Sequence, residues 1–572
     1  MLHLSIGKID EYRWFFSFIR PKLKFLLRKL IKRSAKRGGE ESFSRSFENF
    51  LISNTAAWRG FDWENQSKEN APCVMIECLV SHPGYWITNI IIGKYIMRIL
   101  ELPGVALLDR KNKKLELLLE SYGITEFHYL HNGEKRARDT MRFILKAIKL
   151  SRKIKSIDDF LKLKYEGVYV GKIVYDDYLR QTRLGTIKKV SLFMMYRLVE
   201  TLRYQDDIEK MFISGDFPIM IQSERQFIPA MILCQVALKH KTVIHSRSGG
   251  PTSFIMRRFD DIKQAYSNNF RFSRTLFEYV YKNYRNEAVL KGREYLRKRF
   301  DGDRILNDIP EASYSFKKGE RIISKSDICD RLGWDVEKPI VAIMANDLTD
   351  GVFTNNWNLF RDLLTWLRCT LKAAKKIENV NWVLKPHPSD VRKNVKTTTI
   401  REYVKLAKDC KHIKLLPDDV GPNSLIGFID TVLTVHGSAG IEYSSFGIPC
   451  ILAGEALCSD RGFTHEPQSQ EEYFDLLKNI RFIKPLNKMQ IEKAQVFAYI
   501  DYLLAKVPCN LIPDYSVFSD YEEQGLWEGA EKMVMKLDPE NETLYRMLQI
   551  HLKRKDRHIL NYDWIGLEKT GF

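Results

Sequence analysis

Hydrophobic residues alternate along the chain between short continuous runs and longer stretches with apolar positions three or four residues apart. The runs at 74–80 and 105–109 predict buried strands, and the stretches after them, 87–102 and 114–122, predict helices. Such alternation indicates βαβ units on a parallel sheet. Further strands are predicted at 219–222 and 241–245, and helices at 138–151, 187–210 and 274–299.

The same alternation resumes at about residue 338 and continues towards the carboxyl terminus. Strands are predicted at 339–344, 380–385, 412–416, 430–435 and 447–452, and helices at 357–377, 398–408, 441–446, 489–506 and 540–553. The pattern predicts an α/β fold with two tandem Rossmann-like, doubly wound domains facing a cleft, closed by C-terminal helices.

Shifts in composition predict the domain boundaries. Residues 40–72 are polar and irregular, and residues 301–337 carry charges and Pro310 between two regular patterns. We therefore expect five parts. They are a basic N-terminal segment and connector (1–72), a first Rossmann-like domain (73–300), a linker (301–337), a second Rossmann-like domain (338–510) and a C-terminal helical extension (511–572).

Net charge adds a candidate partner to this picture. The 572 residues carry a formal charge of +19, which favours an anionic partner. Residues 1–39 hold eleven basic and two acidic residues, and within them 20–33 place leucines at helical spacing after the aromatic cluster 14–19. A basic amphipathic helix of this kind predicts binding to an anionic membrane surface. An ordinary surface helix and a nucleic-acid contact are the alternatives.

Composition also narrows the class of protein. With 44% hydrophobic and 28% charged residues, the chain is expected to fold around ordinary cores. It contains no uninterrupted apolar run long enough for a transmembrane helix, which needs about 20 residues. The nine cysteines are scattered without a CxxC pair, which predicts reduced thiols in a cytoplasmic protein and no zinc site.

Two segments at predicted strand ends indicate chemistry. Lys385-Pro-His-Pro388 follows one strand, and His436-Gly-Ser-Ala-Gly440 leads from another into a helix. Ligands bind beyond the carboxyl ends of parallel strands, and backbone N–H groups at a glycine-rich helix start suit a phosphate. Glu442 in the first helical turn is a candidate for ribose hydroxyls. Each feature also has an ordinary structural interpretation: a common turn, a rigid strand exit and a helix-dipole contact.

This ordered pair of segments resembles GT-B glycosyltransferases of bacterial capsule and lipopolysaccharide synthesis, of the Kdo-transferase and sialyltransferase type. The resemblance is firm over 338–456 and diffuse over 74–300. It implies an acceptor domain followed by a nucleotide-sugar donor domain, with no essential metal and no cofactor. The residues it assigns to the donor nucleotide are Lys385, His387, Pro388, His436, Gly437, Ser438, Gly440 and Glu442.

The catalytic base is expected from the first domain, across the cleft. Candidates are His82, in a turn after the first strand, and Asp176 and Asp177, in a strand predicted at 171–180. Glu224 and Arg225, beyond the strand ending at Gln222, and Arg247, after the strand ending at His245, are candidates for acceptor or phosphate contact. A structural turn at His82 and a surface ion pair at the acids remain alternatives.

The predicted function is metal-independent transfer of a sugar from a CMP- or UDP-linked donor to a growing surface polysaccharide or glycolipid. The predicted location is the cytoplasmic face of the inner membrane, with no nucleic-acid partner. CDP-glycerol or CDP-ribitol polyol-phosphate transfer, a UDP-sugar 2-epimerase-like reaction, and non-enzymatic binding of anionic lipid or nucleic acid are the alternative hypotheses.

Overall fold

The computed structural model describes most of the chain between residues 43 and 564. The described residues are 43–61, 71–80, 82–130, 137–223, 225–249, 253–266, 272–303, 316, 322–353, 357–388, 398–509, 511 and 523–564. The predicted basic helix within 1–39 and the candidate residue Glu224 lie outside them. Every contact discussed below lies within the compact unit Asn49–Phe572.

The described elements follow the predicted alternation of strands and helices. The strands are β1 (Val74–Glu77), β2 (Gly104–Leu108), β3 (Glu126–Tyr129), β4 (Ile219–Gln222), β5 (Val243–Gly249), β6 (Ser253–Phe259), β7 (Ile340–Met344), β8 (Asn381–Lys385), β9 (Ile413–Leu415), β10 (Thr431–Thr434), β11 (Cys450–Leu452) and β12 (Val507–Pro508). The α-helices are α1 (Arg45–Trp58), α2 (Pro83–Leu100), α3 (Lys113–Ser121), α4 (Ala137–Ser151), α5 (Ile157–Leu161), α6 (Val170–Thr182), α7 (Leu192–Ser214), α8 (Ala230–Lys239), α9 (Arg274–Asn283), α10 (Arg285–Phe300), α11 (Lys325–Leu332), α12 (Leu363–Ala374), α13 (Thr398–Leu406), α14 (Pro422–Ile426), α15 (Ala439–Glu442), α16 (Gln470–Lys478), α17 (Lys488–Tyr499), α18 (Glu523–Val534) and α19 (Thr543–Arg554).

Two sheets form the cores of the two domains. The first has the order β12-β6-β5-β4-β1-β2-β3. Strands β1 to β5 are mutually parallel, β6 is antiparallel to β5, and β12 is antiparallel to β6. The second is wholly parallel, with the order β11-β10-β7-β8-β9. β1 and β7 are buried along their whole length, as central parallel strands covered on both faces should be. The predicted α/β class with two Rossmann-like sheets is confirmed.

Two predicted boundaries differ from the structure. Residues 325–332, predicted as linker, form α11, and the flanking Trp334 donates its indole N–H to the carbonyl of Lys411 at 3.1 Å. This part of the linker therefore belongs to the second domain. Residues beyond 506, predicted as the end of the second domain and an extension, return to the first sheet: β12 pairs with β6, and Ile559 N–H donates to the carbonyl of Met256.

The predicted strand at 171–180 is wrong, because these residues lie in α6. The β-branched Ile173 and Val174 favoured a strand locally, but α6 is buried on nearly all sides, and between 170 and 179 only Lys172 is partly exposed. Tertiary packing around the whole helix therefore overrides the local preference. The predicted helix 274–299 is also interrupted, since α9 ends at Asn283 and α10 begins at Arg285.

Among the described residues, no helix combines the length and hydropathy needed to cross a membrane.

Candidate functional site

Three strand ends of the second sheet meet around Asn346, which follows β7 by two residues. The Asn346 side-chain oxygen accepts hydrogen bonds from Thr434 Oγ1 and from the Val435 N–H, each at 3.2 Å. On the other side of β7, the Ala345 N–H donates to the carbonyl of Lys385 at 3.0 Å. Asn346 therefore ties the exits of β7 and β10 together. Asn346 is not among the predicted site residues, although a polar residue close to the end of a buried strand is a usable signal in the sequence.

Both motifs singled out in the sequence lie at this edge. Lys385, His387 and Pro388 are half-buried at the end of β8, and 436–440 follow β10. β7 lies between β8 and β10, so the two motifs flank a central strand and do not occupy neighbouring strands. The two motifs therefore lie on either side of the end of β7, with Asn346 between them.

The glycine-rich turn after β10 is tightly packed at its base and exposed at its tip. The Gly437 N–H donates to Thr434 Oγ1 at 3.3 Å, and a Cβ at Gly437 would lie 2.8 Å from that oxygen. Ser438 is exposed at the start of α15. α15 has only four residues before a 3₁₀ turn, so the helix dipole invoked for a phosphate is smaller than the sequence suggested. Gly440 is buried against Cys458.

His436 is held in its neutral form. Burial lowers the pKa of its imidazole to about 4, and a hydrogen bond with its own backbone only partly opposes the shift. Its Nε2 atom is buried without a hydrogen-bond partner among the described residues. A neutral imidazole at a strand end offers a directed hydrogen-bond site to a ligand, without a positive charge.

Glu442 differs from its predicted role. It is buried, and its Oε1 lies 3.3 Å from Nη2 of Arg299, with the Tyr502 hydroxyl 3.5 Å away. Arg299 is also buried and lies on α10. The carboxylate therefore completes an internal ion pair. The sequence could not show this, because the partner lies 143 residues earlier in the chain.

The predicted residues His82 and Arg247 lie close together at the corresponding edge of the first sheet. The Tyr85 ring contacts both: its centroid is 5.9 Å from the His82 ring and 4.5 Å from the Arg247 guanidinium carbon. Burial and, secondarily, the Arg247 charge lower the pKa of His82. Arg247 lies within β5, which continues to Gly249, and not in a turn after it as predicted. Pairing with β6 extends the strand.

His82 Nδ1 accepts a hydrogen bond from the Gly84 N–H at 3.1 Å and so caps α2. A neutral ring that accepts at Nδ1 carries its proton on Nε2. In this arrangement His82 presents a donor, and taking up a substrate proton requires breaking the cap. Its placement therefore fits orientation of an anionic or hydroxyl group better than the predicted base role.

Arg225 is buried beyond β4, with its guanidinium carbon 4.2 Å from the centre of the Phe259 ring. A second buried arginine, Arg257, lies nearby on β6. Burial and, secondarily, the charge of Arg225 lower the pKa of the Arg257 guanidinium. The two buried guanidinium groups place positive charge near the end of β4, and the phosphate contact expected of Arg225 stays a prediction.

Asp176 and Asp177 are buried on α6, and both are engaged. Asp176 accepts from the backbone N–H groups of Val352 at 3.0 Å and Phe353 at 3.3 Å. Asp177 binds Arg197 Nε at 2.7 Å. Burial raises the pKa of both carboxyls, that of Asp176 to about 7. The two acids hold α6 against the loop after β7 and against α7, and they do not face an open cleft.

α6 and the segment after it are joined to the second domain by further polar contacts. The Tyr175 hydroxyl and Thr186 Oγ1 donate to Asp362 Oδ2 at 2.7 and 2.6 Å, while Asp362 Oδ1 caps α12. Arg183 donates to Thr349 Oγ1 at 3.0 Å. The loop 345–353 that begins beside Asn346 is therefore fixed by the first domain, which couples domain arrangement to the candidate site. None of these contacts with the second domain was predicted from the sequence, because their partners are more than 160 residues apart.

Residues 366–504 match the protein family described as "Capsule polysaccharide biosynthesis protein". The matched range includes both strand exits at the candidate site and Glu442. The predicted resemblance to enzymes of bacterial capsule synthesis is confirmed by this match. Among curated proteins, none matches the chain.

Several solved structures are similar to parts of the chain at low sequence identity. A β-Kdo 2,4 transferase, KpsC from Thermosulfurimonas dismutans, has a TM-score of 0.31 and 14% identity, covering 53% of this chain and 88% of that one. HepE from Anabaena, in complex with UDP and glucose, has a TM-score of 0.23 and 10% identity over 75% of this chain and 94% of that one. UDP-GlcNAc 2-epimerase from Neisseria meningitidis has a TM-score of 0.21 and 9% identity over 82% and 99%.

Proposed function

We propose that the protein is a nucleotide-sugar-dependent glycosyltransferase that extends a surface polysaccharide or glycolipid acceptor. The observation that carries the proposal is the family match over 366–504, because this range contains both strand exits that the fold brings to the edge around Asn346. A capsule polysaccharide is built by joining sugars, and a site at parallel strand ends is the usual place for a nucleotide.

The proposed role of each residue follows from its charge and hydrogen-bonding groups. Lys385 supplies a positive charge for the leaving phosphate, and the Ser438 hydroxyl and the backbone of its turn supply hydrogen bonds. Neutral His436 forms a hydrogen bond with the nucleoside or the sugar, as donor or as acceptor. From the first domain, Arg247 and His82 orient the acceptor. We propose a CMP- or UDP-linked donor, no metal requirement, and a site of action at an anionic membrane leaflet.

Nucleotide binding tests the site. We expect the purified chain to bind a cytidine or uridine nucleotide, and His387→Ala or Ser438→Ala to weaken binding about tenfold through loss of a charge-assisted hydrogen bond. His412→Ala is the matched control, because His412 precedes β9 at the opposite edge of the same sheet and bonds the Ala374 carbonyl. Absence of binding at millimolar nucleotide would overturn the proposal.

Product mass tests the reaction. The assay combines the protein with an acceptor oligosaccharide and a panel of donors. Transfer of a sugar adds no phosphorus to the acceptor, whereas a polyol-phosphate transferase adds one phosphate to it per transferred unit. A 2-epimerase changes the donor and leaves the acceptor mass unchanged. Activity that persists in EDTA supports the metal-independent mechanism, and full loss that added divalent cation restores contradicts it.

A further inference from the structure

Helix α4 presents three large apolar side chains to solvent in one stripe. Met141, Leu145 and Ile148 are 55%, 60% and 46% exposed, while Phe143 and Ala147 on the opposite side are buried in the first domain. The spacing of four and three residues places the exposed side chains on one face, so α4 is apolar both inside and outside. Contiguous exposed apolar surface on a helix indicates an interaction site.

Basic residues flank this stripe on one side. Arg142, Lys149, Arg152 and Lys153 are exposed on or just after α4, and Lys146 is half-buried beside them. Together with Met141 and Leu145, Arg142, Lys146 and Lys149 line a shallow open groove. Two of the basic groups are oriented by the protein: Arg142 pairs with Asp206 at 2.8 Å, and Lys146 donates to the Tyr165 hydroxyl at 2.6 Å.

We infer that the outer face of α4 docks on an anionic lipid surface. An interfacial helix buries its apolar residues at the headgroup boundary while adjacent basic residues contact anionic headgroups. The observed face has this composition: an aliphatic stripe, with Lys149, Arg152 and Lys153 next to it. This surface is distinct from the basic segment within 1–39 and independent of the chemistry proposed for the cleft.

Charge decides against two other occupants. In an antiparallel symmetric pair of chains joined through α4, the basic rows of both copies lie on the same side and repel, and in a parallel pair each row is left without an anionic partner. A nucleic acid makes use of the basic row but not of Met141, Leu145 and Ile148, because single strands stack on aromatic side chains and duplexes contact mainly polar groups. Only a lipid surface matches both halves of the face.

Vesicle sedimentation with the full chain tests the assignment. The probes are phosphatidylcholine vesicles with and without roughly 30% phosphatidylglycerol. We expect binding to the anionic vesicles that weakens with salt. The triple variant Met141→Ser, Leu145→Ser, Ile148→Ser should bind at least about tenfold more weakly, and Lys149→Glu, Arg152→Glu, Lys153→Glu should lose the preference for anionic vesicles.

Matched controls remove exposed apolar side chains elsewhere: Ile213→Ser on α7, 75% exposed, and Leu290→Ser on α10, 56% exposed. These variants should bind like the unaltered chain, and circular dichroism should show that all variants keep their helical content. The inference is overturned if the triple serine variant binds anionic vesicles within about twofold of the unaltered chain. It is also overturned if that variant changes only the mass measured by light scattering, which would indicate a chain–chain interface. Nucleotide binding measured on the same variants should be unchanged, so failure here and failure of the proposed function are separable.

Discussion

The carboxylate of Asp176 accepts a hydrogen bond from the backbone N–H of Val352 at 3.0 Å, and this joins the first domain to the loop that leads from β7. The pKa of Asp176 is raised to about 7 because the group is buried, whereas its ordinary value is 3.8. Between these values the folded protein binds more protons than the unfolded chain, so this group lowers stability as pH rises from about 4 to 7.

Asp176→Asn should remove this pH dependence. We expect the free energy of unfolding of the unaltered chain to fall from weakly acidic to weakly alkaline solution. That fall should exceed the fall in the variant by roughly 1–3 kcal/mol. Urea unfolding at both pH values measures it. Asp158→Asn on α5, an exposed acid, is the control and should leave the profile unchanged. Equal profiles for Asp176→Asn and the unaltered chain would contradict the assignment.

Glu442→Gln should destabilise the protein without weakening nucleotide binding by the folded fraction. The substitution removes the carboxylate that pairs with the buried Arg299, and breaking such a buried pair costs about 3–5 kcal/mol. Glu294→Gln breaks the exposed pair with Lys298 and should cost less than about 1 kcal/mol. Thermal unfolding and nucleotide titration separate the outcomes. A tenfold loss of affinity with unchanged stability would instead support the ribose role suggested by the sequence.

Gly292→Ala should destabilise the contact between α10 and α17. A Cβ at Gly292 would lie 2.1 Å from the Gln495 carbonyl oxygen, so the helices must separate, at a cost of about 1–3 kcal/mol or more. Gly525→Ala, on α18 with nothing within 4 Å of its added Cβ, should be neutral or stabilising by up to about 1 kcal/mol. Equal unfolding midpoints for the two variants would show that the close approach carries no energy.

His82→Asn tests whether His82 is a base or a positioning group. Asparagine can cap α2, so we expect unfolding close to that of the unaltered chain, whereas His82→Ala should lose about 1 kcal/mol. If His82 only orients a substrate, His82→Asn should lower turnover about tenfold in the nucleotide-release assay. A loss of about a thousandfold, with stability retained, would assign it general-base catalysis.

The fold was predictable because its signals are local. Buried runs such as 340–344 carry strand character in their own residues, and the motifs at 385–388 and 436–440 follow such runs directly. Three short or partly exposed strands were missed. β3 is not fully buried, β6 carries Arg257 and Arg258 within its apolar residues, and β12 has two residues.

The candidate site was predictable only in outline, because partners distant in sequence decide the role of each side chain. Glu442 pairs with Arg299, and Asp176 binds backbone more than 170 residues away. Nothing in the neighbouring residues distinguishes a buried acid that closes a domain contact from one that faces a substrate. For the same reason Asn346, which links β7 to β10, carried no motif in the sequence.

The pairing of β12 with β6 means that the first sheet is completed by residues that follow the second sheet in the chain. Because β12 is built from Val507 and Pro508, the ribosome must synthesise the entire second sheet before the first sheet can acquire its last strand. Until then the edge of β6 is a template for pairing with another chain. The first domain therefore starts folding early and finishes last, so a nascent chain stalled between the two sheets is the species most exposed to aggregation.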